Sequence, residues 1–426
     1  MTRTRKSKRS KKTTKRAGCL SICILAVLIL VIPCFFLYRC MSQGALESGP
    51  VISPADSIYH ARLDTLLAHT ERVNLEQTSI FIYDLTENCP VYAYQDSLEL
   101  APASCMKLVT ALAAQHYLGL DYRFADSLFV TGPVEEGVLR GDLVLKTDYD
   151  PLITSVDSLI LGIQDYGIEK IEGSVVFDFP QRDAIDYHPT WEPGDIRRGQ
   201  LPIMLKGEER IRKDFLYLMH KAGIKETKGD RRGQAPQGAE CIFDLGHTLE
   251  EILQPTLLYS SNVMAETIFG RTLEKSEGLA TVYDWMSAQL DAPFFLNVED
   301  GSGLSPRNSV STPFLCAILR HLWNGEEDTW LMKCLPAAGS EEQRGTLMNR
   351  MSQNECSGRI WAKTGTLNSI GASSLAGYCK GLFDHWYAFA VINVDTPIAE
   401  GRLFQDAVCL EMVREDNGQQ TTDNSQ

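Results

Sequence analysis

Apolar residues recur at three- and four-residue spacing in several parts of the chain, and this rhythm predicts amphipathic helices. In the first such segment Tyr59, Leu63 and Leu66 fall on one helical face. Segment 108–117 is rich in Ala and Leu and contains neither Gly nor Pro, which also favours a helix. The predicted helices span 57–72, 108–117, 156–167, 208–222, 249–275, 313–323 and 398–413.

Between these helices lie short runs of β-branched and aromatic residues bounded by Gly, Asp or Pro, and such runs predict strands. The last three follow one another closely, which suits an antiparallel meander, whereas the polar segments 182–200 and 227–240 predict loops. Segment 122–180 has the pattern of material inserted between other elements. The predicted strands span 78–85, 91–94, 128–130, 138–145, 173–179, 359–363, 372–380 and 386–395.

An uncharged apolar run of about 20 residues occupies 18–38 and is long enough to cross a bilayer. Residues 1–17 contain nine Lys or Arg and no acid, so the positive-inside rule predicts a cytoplasmic N-terminus and an external body. No small-x-small cleavage pattern follows the run, which favours an uncleaved anchor over a signal peptide. Residues 39–55 predict a short tether, and 414–426 predict a disordered polar tail.

Composition is that of an ordinary globular protein, with 44% hydrophobic and 23% charged residues in a chain of 426. The formal net charge is −14, and beyond residue 17 there are 32 basic against 55 acidic residues. An acidic body argues against nucleic acid as a partner. The 12 cysteines and 8 histidines form no C-x-x-C or H-E-x-x-H pair, so neither a zinc site nor a zinc peptidase is indicated.

Ser104 and Lys107 form an S-x-x-K just before the helix predicted over 108–117. A spacing of three places both side chains on one helical face, in a first turn whose free N–H groups and positive dipole end face outward. A lysine with a depressed pKa at this distance can take the serine proton. One such match is expected by chance in a chain of about this length, so alone it is more simply a capping serine beside a solvated lysine.

Two further short motifs follow in the chain. Ser260 and Asn262 form an S-x-N in a helical context, and Lys363 to Gly365 form a K-T-G at the end of a predicted strand. S-x-N is common by chance, but K-T-G is expected only about 0.1 times. The order S-x-x-K, S-x-N, K-T-G, with the last on a strand that begins a meander, is that of active-site serine penicillin-binding proteins and β-lactamases.

Over 56–413 the chain resembles the low-molecular-mass penicillin-binding proteins of the D-alanyl-D-alanine carboxypeptidase/endopeptidase type (peptidase family S13, the penicillin-binding protein 4 group). Ser261 departs from the family, which usually has Asp there, and the segment between S-x-x-K and S-x-N is shorter than in many members. Besides the three motifs, the matching stretches are GDLV at 141–144, DP at 150–151, DGSGLS at 300–305, GTL at 345–347 and SLAGY at 374–378.

The resemblance implies a mixed α/β (α+β) fold. Its core would be a β-lactamase/transpeptidase-like domain with an antiparallel sheet flanked by helices, carrying an inserted β-rich subdomain and an N-terminal transmembrane helix. The predicted divisions are a basic cytoplasmic tail (1–17), the anchor (18–38), a linker (39–55), the catalytic domain (56–140 and 205–413), the insert (141–204) and the C-terminal tail (414–426).

The resemblance also implies a role for each motif residue. Ser104 attacks the carbonyl between two D-alanines and forms an acyl-enzyme, with Lys107 as the base for acylation. Ser260 relays a proton to the departing amine, and Lys363 supplies positive charge beside it. Asn262 holds the substrate amide.

Substrate binding is assigned to the residues that follow the second lysine and to the predicted insert. The hydroxyls of Thr364 and Thr366 bind the terminal carboxylate, and Gly365 lies between them. The backbone N–H groups of Ser104 and Thr366 form the oxyanion hole. Asp186, in the loop predicted over 182–200, is a candidate for binding a free amine on the stem-peptide side chain, although a solvated acidic loop explains it equally well.

The implied substrates are peptidoglycan stem peptides, with β-lactam antibiotics as inhibitors and with no metal or organic cofactor. The implied location is the bacterial inner membrane, single-pass, with the catalytic domain on the periplasmic side. A membrane-anchored, non-catalytic sensor of β-lactams or peptidoglycan is the alternative. A β-lactamase shares the motifs, but no deacylating glutamate is evident, and a Ser-His-Asp hydrolase lacks its G-x-S-x-G.

Overall fold

The computed structural model describes residues 54–185, 187–191, 201–293, 295–325 and 329–415. The predicted basic tail, the predicted membrane anchor, nearly all of the linker and most of the C-terminal tail lie outside these residues. Within the described ranges, no helix combines the length and the apolar character needed to cross a membrane.

The helices α1 to α10 and the strands β1 to β16 of these ranges are numbered in chain order. The helices are Pro54–Ala68, Met106–Tyr117, Asp157–Asp165, Glu208–Lys221, Leu249–Leu258, Asn262–Ser276, Leu279–Gln289, Thr312–Leu322, Trp330–Cys334 and Ile398–Val413. The strands are Thr78–Asp84, Cys89–Tyr94, Arg123–Val130, Val134–Glu135, Val138–Leu139, Leu143–Lys146, Lys170–Ile171, Val175–Asp178, Lys225–Glu226, Asp230–Arg232, Glu240–Thr248, Leu296–Asn297, Ser309–Val310, Ile360–Leu367, Ala372–Lys380 and Trp386–Asn393.

The central sheet joins the two ends of the described chain. Its strand order is β14-β15-β16-β1-β2, and all neighbours are antiparallel. Strand β1 pairs with β16 along its full length, from Thr78 opposite Asn393 to Asp84 opposite Tyr387. The predicted C-terminal meander is confirmed, and it continues into the first two strands of the chain.

Both faces of the central sheet are covered, because its inner strands are apolar on both sides. Ala390 and Ile392 of β16 face one core, which contains α2 and α8, whereas Phe389 and Val391 face a second core with α1 and α10. This division follows from the alternation of side chains along a strand. Helix α2 lies deep in the first core, where its residues Met106–Ala114 are all buried.

A second five-stranded sheet carries the inserted material. Its order is β10-β8-β6-β3-β11, with parallel pairs on one side and antiparallel pairs on the other. The sheet begins at Arg123 and ends at Thr248, so it extends on both sides of the predicted insert 141–204. The reason is that β3 precedes the insert, β11 follows it, and the two strands pair with each other. Strand β11 then leads directly into α5.

The long helix predicted over 249–275 is two helices, α5 and α6. Ser260 has a φ of 59°, in the left-handed region, and the chain turns there before α6 begins. Strand β11 and helix α7 were not predicted. The side chains of β11 are mostly half-exposed or exposed, so its sequence lacks a clear alternation of apolar and polar residues.

Candidate active site

Ser104 lies at a sharp bend where a single 3-10 turn, Ala103–Cys105, leads into α2. Ala103 has a φ of 46°, in the left-handed region that residues other than glycine rarely adopt. Cys105 and Met106 are fully buried, whereas Ser104 is half-buried. The bend therefore presents the serine at the surface of an otherwise packed helix.

Two glycines from distant segments hold this bend. A Cβ atom at Gly303 would lie 1.9 Å from the carbonyl oxygen of Ala103, and one at Gly365 would lie 2.5 Å from the carbonyl oxygen of Pro102. Neither position can carry a side chain without displacing the bend. The hydroxyl of Ser374 donates to the same Pro102 carbonyl. The DGSGLS and K-T-G stretches are thus packed directly against the serine.

Lys107 is buried beneath the serine. Its Nζ lies 3.0 Å from Ser104 Oγ, 2.8 Å from Asn262 Oδ1 and 2.6 Å from the carbonyl oxygen of Ser302. Burial lowers the pKa of Lys107 well below its ordinary value, and the nearby charge of Lys363 lowers it further. A lowered pKa makes the neutral amine more accessible, and a neutral amine can accept the proton of a hydroxyl at this distance.

Ser260 and Asn262 lie at the junction of α5 and α6, and the residue between them caps the second helix. The Ser261 hydroxyl accepts a hydrogen bond from the N–H of Met264 at 3.5 Å. Serine and aspartate are comparably good N-caps. This capping position explains why Ser261 can stand where the family usually has Asp.

Lys363 lies on β14 and is fully buried. Its Nζ donates to Ser260 Oγ at 2.9 Å and to the carbonyl oxygen of Thr364 at 2.7 Å. Burial lowers the pKa of Lys363 to about 8. The Cys105 thiol donates to the Lys363 carbonyl at 3.1 Å and so ties β14 to the serine bend.

The structure therefore brings all three motifs into one site. One hydrogen-bonded group contains the S-x-x-K pair and the asparagine, and the other contains the serine of S-x-N and the lysine of K-T-G. The five residues predicted to be catalytic are Ser104, Lys107, Ser260, Asn262 and Lys363.

Thr364 and Thr366 are two residues apart on β14, so their side chains lie on the same face of the sheet. Thr364 Oγ1 is 2.7 Å from Thr346 Oγ1, and the Thr366 hydroxyl donates to the Gly365 carbonyl at 2.8 Å. Gly365, between them, packs on the serine bend, so the two hydroxyls lie on the opposite face of this edge strand. Thr346 belongs to the GTL stretch, to which sequence reasoning had given no role.

Asp300 organises the DGSGLS turn and is only 3% exposed. Its Oδ1 accepts from the N–H groups of Gly303 at 2.6 Å and Leu304 at 3.1 Å. Its Oδ2 accepts from the N–H of Ser305 at 2.6 Å and from the indole N–H of Trp191 at 2.8 Å. This carboxylate fixes the turn that packs on the serine bend and that supplies a carbonyl acceptor for the buried lysine.

Glu266 is a buried carboxyl group of the site that sequence reasoning missed. It lies four residues after Asn262, on the same face of α6, and its Oε1 accepts from the N–H of Ser302 at 2.7 Å. Burial raises the pKa of Glu266 to about 8, and the charge of Asp300 adds to the effect. The Ser302 peptide is thus held by Glu266 on one side and by Lys107 on the other. The four-residue spacing from Asn262 was the available signal.

The described residues of the loop predicted over 182–200 make two contacts with elements of this site. Trp191 is bonded to Asp300, and the carbonyl of Ala184 accepts from the Thr267 hydroxyl on α6 at 3.1 Å. Asp186, the predicted amine-binding residue, lies outside the described residues. Among those that are described, no three His, Cys, Asp or Glu side chains converge in a way that could hold a metal ion.

Comparison with known proteins identifies relatives along most of the chain. The model of the D-Ala-D-Ala carboxypeptidase 3 (S13) family matches residues 59–204 and 198–410. A D-alanyl-D-alanine carboxypeptidase from Actinomadura sp. (strain R39) is 31% identical over 189 residues, which cover 41% of this chain but only 34% of that enzyme. The D-alanyl-D-alanine carboxypeptidase DacB from Haemophilus influenzae is 22% identical over 390 residues, covering 69% of this chain and 80% of that protein.

Solved structures show the same fold. Penicillin binding protein 4 (dacB) from Haemophilus influenzae has a TM-score of 0.69 at 20% identity and covers 83% of this chain and 99% of its own. A predatory endopeptidase from Bdellovibrio bacteriovorus has a TM-score of 0.57 at 18% identity and covers 80% and 93%. The predicted mixed α/β fold of the penicillin-binding protein 4 type is therefore confirmed.

Proposed function

This chain belongs to the D-Ala-D-Ala carboxypeptidase 3 (S13) family of serine-type peptidases, and on that premise we propose that it hydrolyses the D-Ala-D-Ala bond of peptidoglycan stem peptides through an acyl-enzyme on Ser104. One observation carries the proposal. Lys107 Nζ lies 3.0 Å from Ser104 Oγ in a site whose burial lowers the pKa of that lysine.

Acylation uses the two lysines in different protonation states. Neutral Lys107 takes the proton of Ser104 as its oxygen attacks the carbonyl carbon between the two D-alanines. The C–N bond then breaks, and the departing amine receives a proton through Ser260. Lys363, held 2.9 Å from Ser260 Oγ, keeps positive charge beside that proton path. Water subsequently attacks the ester and releases the shortened peptide.

The remaining motif residues bind the substrate. Asn262 holds the peptide amide, and the Thr364 and Thr366 hydroxyls face the terminal carboxylate. The N–H groups of Ser104 and Thr366 stabilise the negative oxygen of the tetrahedral intermediate, a contribution of about 2.7–4 kcal/mol for one donor in comparable sites. A β-lactam acylates the same serine and acts as an inhibitor. The Haemophilus influenzae relative was crystallised in complex with a β-lactam, which supports this assignment.

Specificity for the stem-peptide side chain is assigned to the loop that contains Asp183, Asp186 and Trp191. The bond between Trp191 and Asp300 supports its position beside the active site. Substrates with and without a free amine on the third residue would be compared in the wild type and in Asp186→Asn. A preference that survives the substitution would contradict this part of the proposal.

We further propose that the apolar run 18–38 anchors the protein in the bacterial inner membrane with its catalytic part outside. The basic residues before that run and the acidic body after it support this orientation. Extraction of cell membranes with alkaline carbonate would leave an anchored protein in the pellet. Recovery of the intact chain in the soluble fraction would contradict the anchor.

The activity is tested on the full-length chain in detergent. The protein is incubated with a fluorescent penicillin, the adduct is mapped by mass spectrometry, and release of D-alanine from a stem peptide is measured in parallel. We expect an adduct on Ser104 and release of D-alanine, with both lost in Ser104→Ala. Absence of any adduct, or hydrolysis that persists in Ser104→Ala, would refute the mechanism. An adduct without hydrolysis of linear or cross-linked peptide would favour the non-catalytic sensor.

A further inference from the structure

Arg402 belongs to none of the three motifs, and it brings a further positive charge to the edge of the active site. It lies in the first half of α10, its side chain is exposed, and its Nη2 donates to Thr366 Oγ1 at 2.8 Å. Thr366 belongs to the same strand as the buried lysine of K-T-G, two residues after Thr364. The guanidinium therefore reaches the face of β14 on which both threonine hydroxyls lie.

Buried contacts fix the helix that carries Arg402. A Cβ atom at Gly401 would lie 2.3 Å from Ser373 Oγ, so only glycine permits α10 to approach β15 this closely. Gln405, with 0% exposure, donates to Ser373 Oγ at 3.0 Å. Ser373 is the direct cross-strand partner of Thr366. The helix is thus held in register with the residue to which Arg402 is bonded.

The charge of Arg402 is not neutralised by the acids around it. Glu400 pairs with Arg72 at 3.0 Å, and Asp406, one turn further along α10, pairs with Arg350 at 2.6 Å. In the part of the chain that the structure describes, Arg402 has no carboxylate within ion-pair distance. One of the five N–H donors of its guanidinium is bonded to Thr366. Two of the other N–H groups, which lie in the same plane, can donate side by side to an anion.

We propose that Arg402 is a specificity-determining residue that binds the C-terminal carboxylate of the substrate together with the hydroxyls of Thr364 and Thr366. This inference rests on the proposed carboxypeptidase function. A guanidinium and a carboxylate form paired, charge-assisted hydrogen bonds, which neutral hydroxyls alone do not provide. The site would therefore select peptides that end in a free carboxylate over those whose C-terminus is neutral.

The test compares two substrates that differ only in this charge. Full-length wild type, Arg402→Met, Arg402→Lys and Arg72→Met are assayed with an acyl-D-Ala-D-Ala peptide and with its C-terminal amide. Arg402→Met should lower kcat/KM for the acid about ten- to hundredfold, as expected for losing a charged hydrogen bond, and change the amide less than about threefold. Arg402→Lys should retain part of the preference. Arg72→Met, which removes a surface arginine paired with the same helix, should change neither substrate.

Each other outcome overturns the inference in a recognisable way. Equal losses of kcat/KM on both substrates would mean that Arg402 acts only by supporting the strand. No loss on either substrate would mean that Arg402 does not contribute to binding the carboxylate. Urea unfolding of each variant separates a folding defect from either result. A folded wild type that neither hydrolyses the acid nor forms a penicillin adduct would overturn the proposed function itself, and this inference with it.

Discussion

Replacing Asp300 by Asn tests whether the DGSGLS turn depends on a buried carboxylate. The change is isosteric, but one of the two acceptor oxygens becomes an NH₂ donor. In the more favourable orientation the amide nitrogen faces the Ser305 N–H, now 2.6 Å from Oδ2, and the Trp191 indole N–H, now 2.8 Å away. Each hydrogen bond to a charged group contributes about 1.5–3 kcal/mol, so losing two should lower the free energy of unfolding by about 3–6 kcal/mol.

The loss is measured by urea-induced unfolding followed by tryptophan fluorescence. Acylation by a fluorescent penicillin is followed in parallel and should slow, because the turn packs on the serine bend and supplies an acceptor for Lys107. Asp291→Asn is the matched control: that side chain is 97% exposed, and its removal should change stability by no more than about 0.5 kcal/mol. An Asp300→Asn protein within about 1 kcal/mol of the wild type would refute the assigned role of the carboxylate.

Three other changes have defined expectations. Raising the pH through about 8 should slow acylation, because Lys363 loses its positive charge there, and a rate that keeps rising to pH 10 in a stopped-flow penicillin assay would contradict this. Gly303→Ala should destabilise the protein by about 2–5 kcal/mol in urea, because the Cβ would lie 1.9 Å from the Ala103 carbonyl oxygen and φ is 85°. Gly119→Ala, with φ of 84° but open space, should lose only the conformational part of about 1–2 kcal/mol, and equal losses would exclude the clash. Ser261→Asp should leave the melting temperature nearly unchanged, since both residues cap α6, and a large shift would show another role.

Elements with a strong periodic pattern could be predicted from the sequence, and their observed ends differ from the predicted ends by a few residues. The helix predicted over 398–413 has those limits in the structure, and the three C-terminal strands form the expected meander. Strand β11 could not be predicted, because its side chains are half-exposed or exposed and an irregularity between Cys241 and Phe243 interrupts its pairing. The break between α5 and α6 at Ser260 could not be predicted either. A serine in the left-handed region of φ has no characteristic sequence pattern, and its conformation depends on tertiary contacts.

The motif residues were identifiable because each motif is short and local. Glu266 and Arg402 belong to no motif, and what makes them part of the site is the packing of α6 and α10 against other elements. In a single sequence Glu266 is one of many helical acids, and Arg402 is one of many helical bases. The packing of Gly303 and Gly365 against the serine bend likewise brings together three segments that are distant in sequence, so it could not be predicted from any one of them.

The reactive centre is held by contacts between residues that are far apart in the chain. The separations are 103 positions for Lys363 and Ser260, 155 for Lys107 and Asn262, 195 for Lys107 and Ser302, and 258 for Cys105 and Lys363. Because such non-local contacts require the closure of long loops, they form late relative to helices and hairpins. Reactivity with penicillin would consequently appear only when folding is complete, so covalent labelling in a refolding time course would count native molecules rather than compact intermediates.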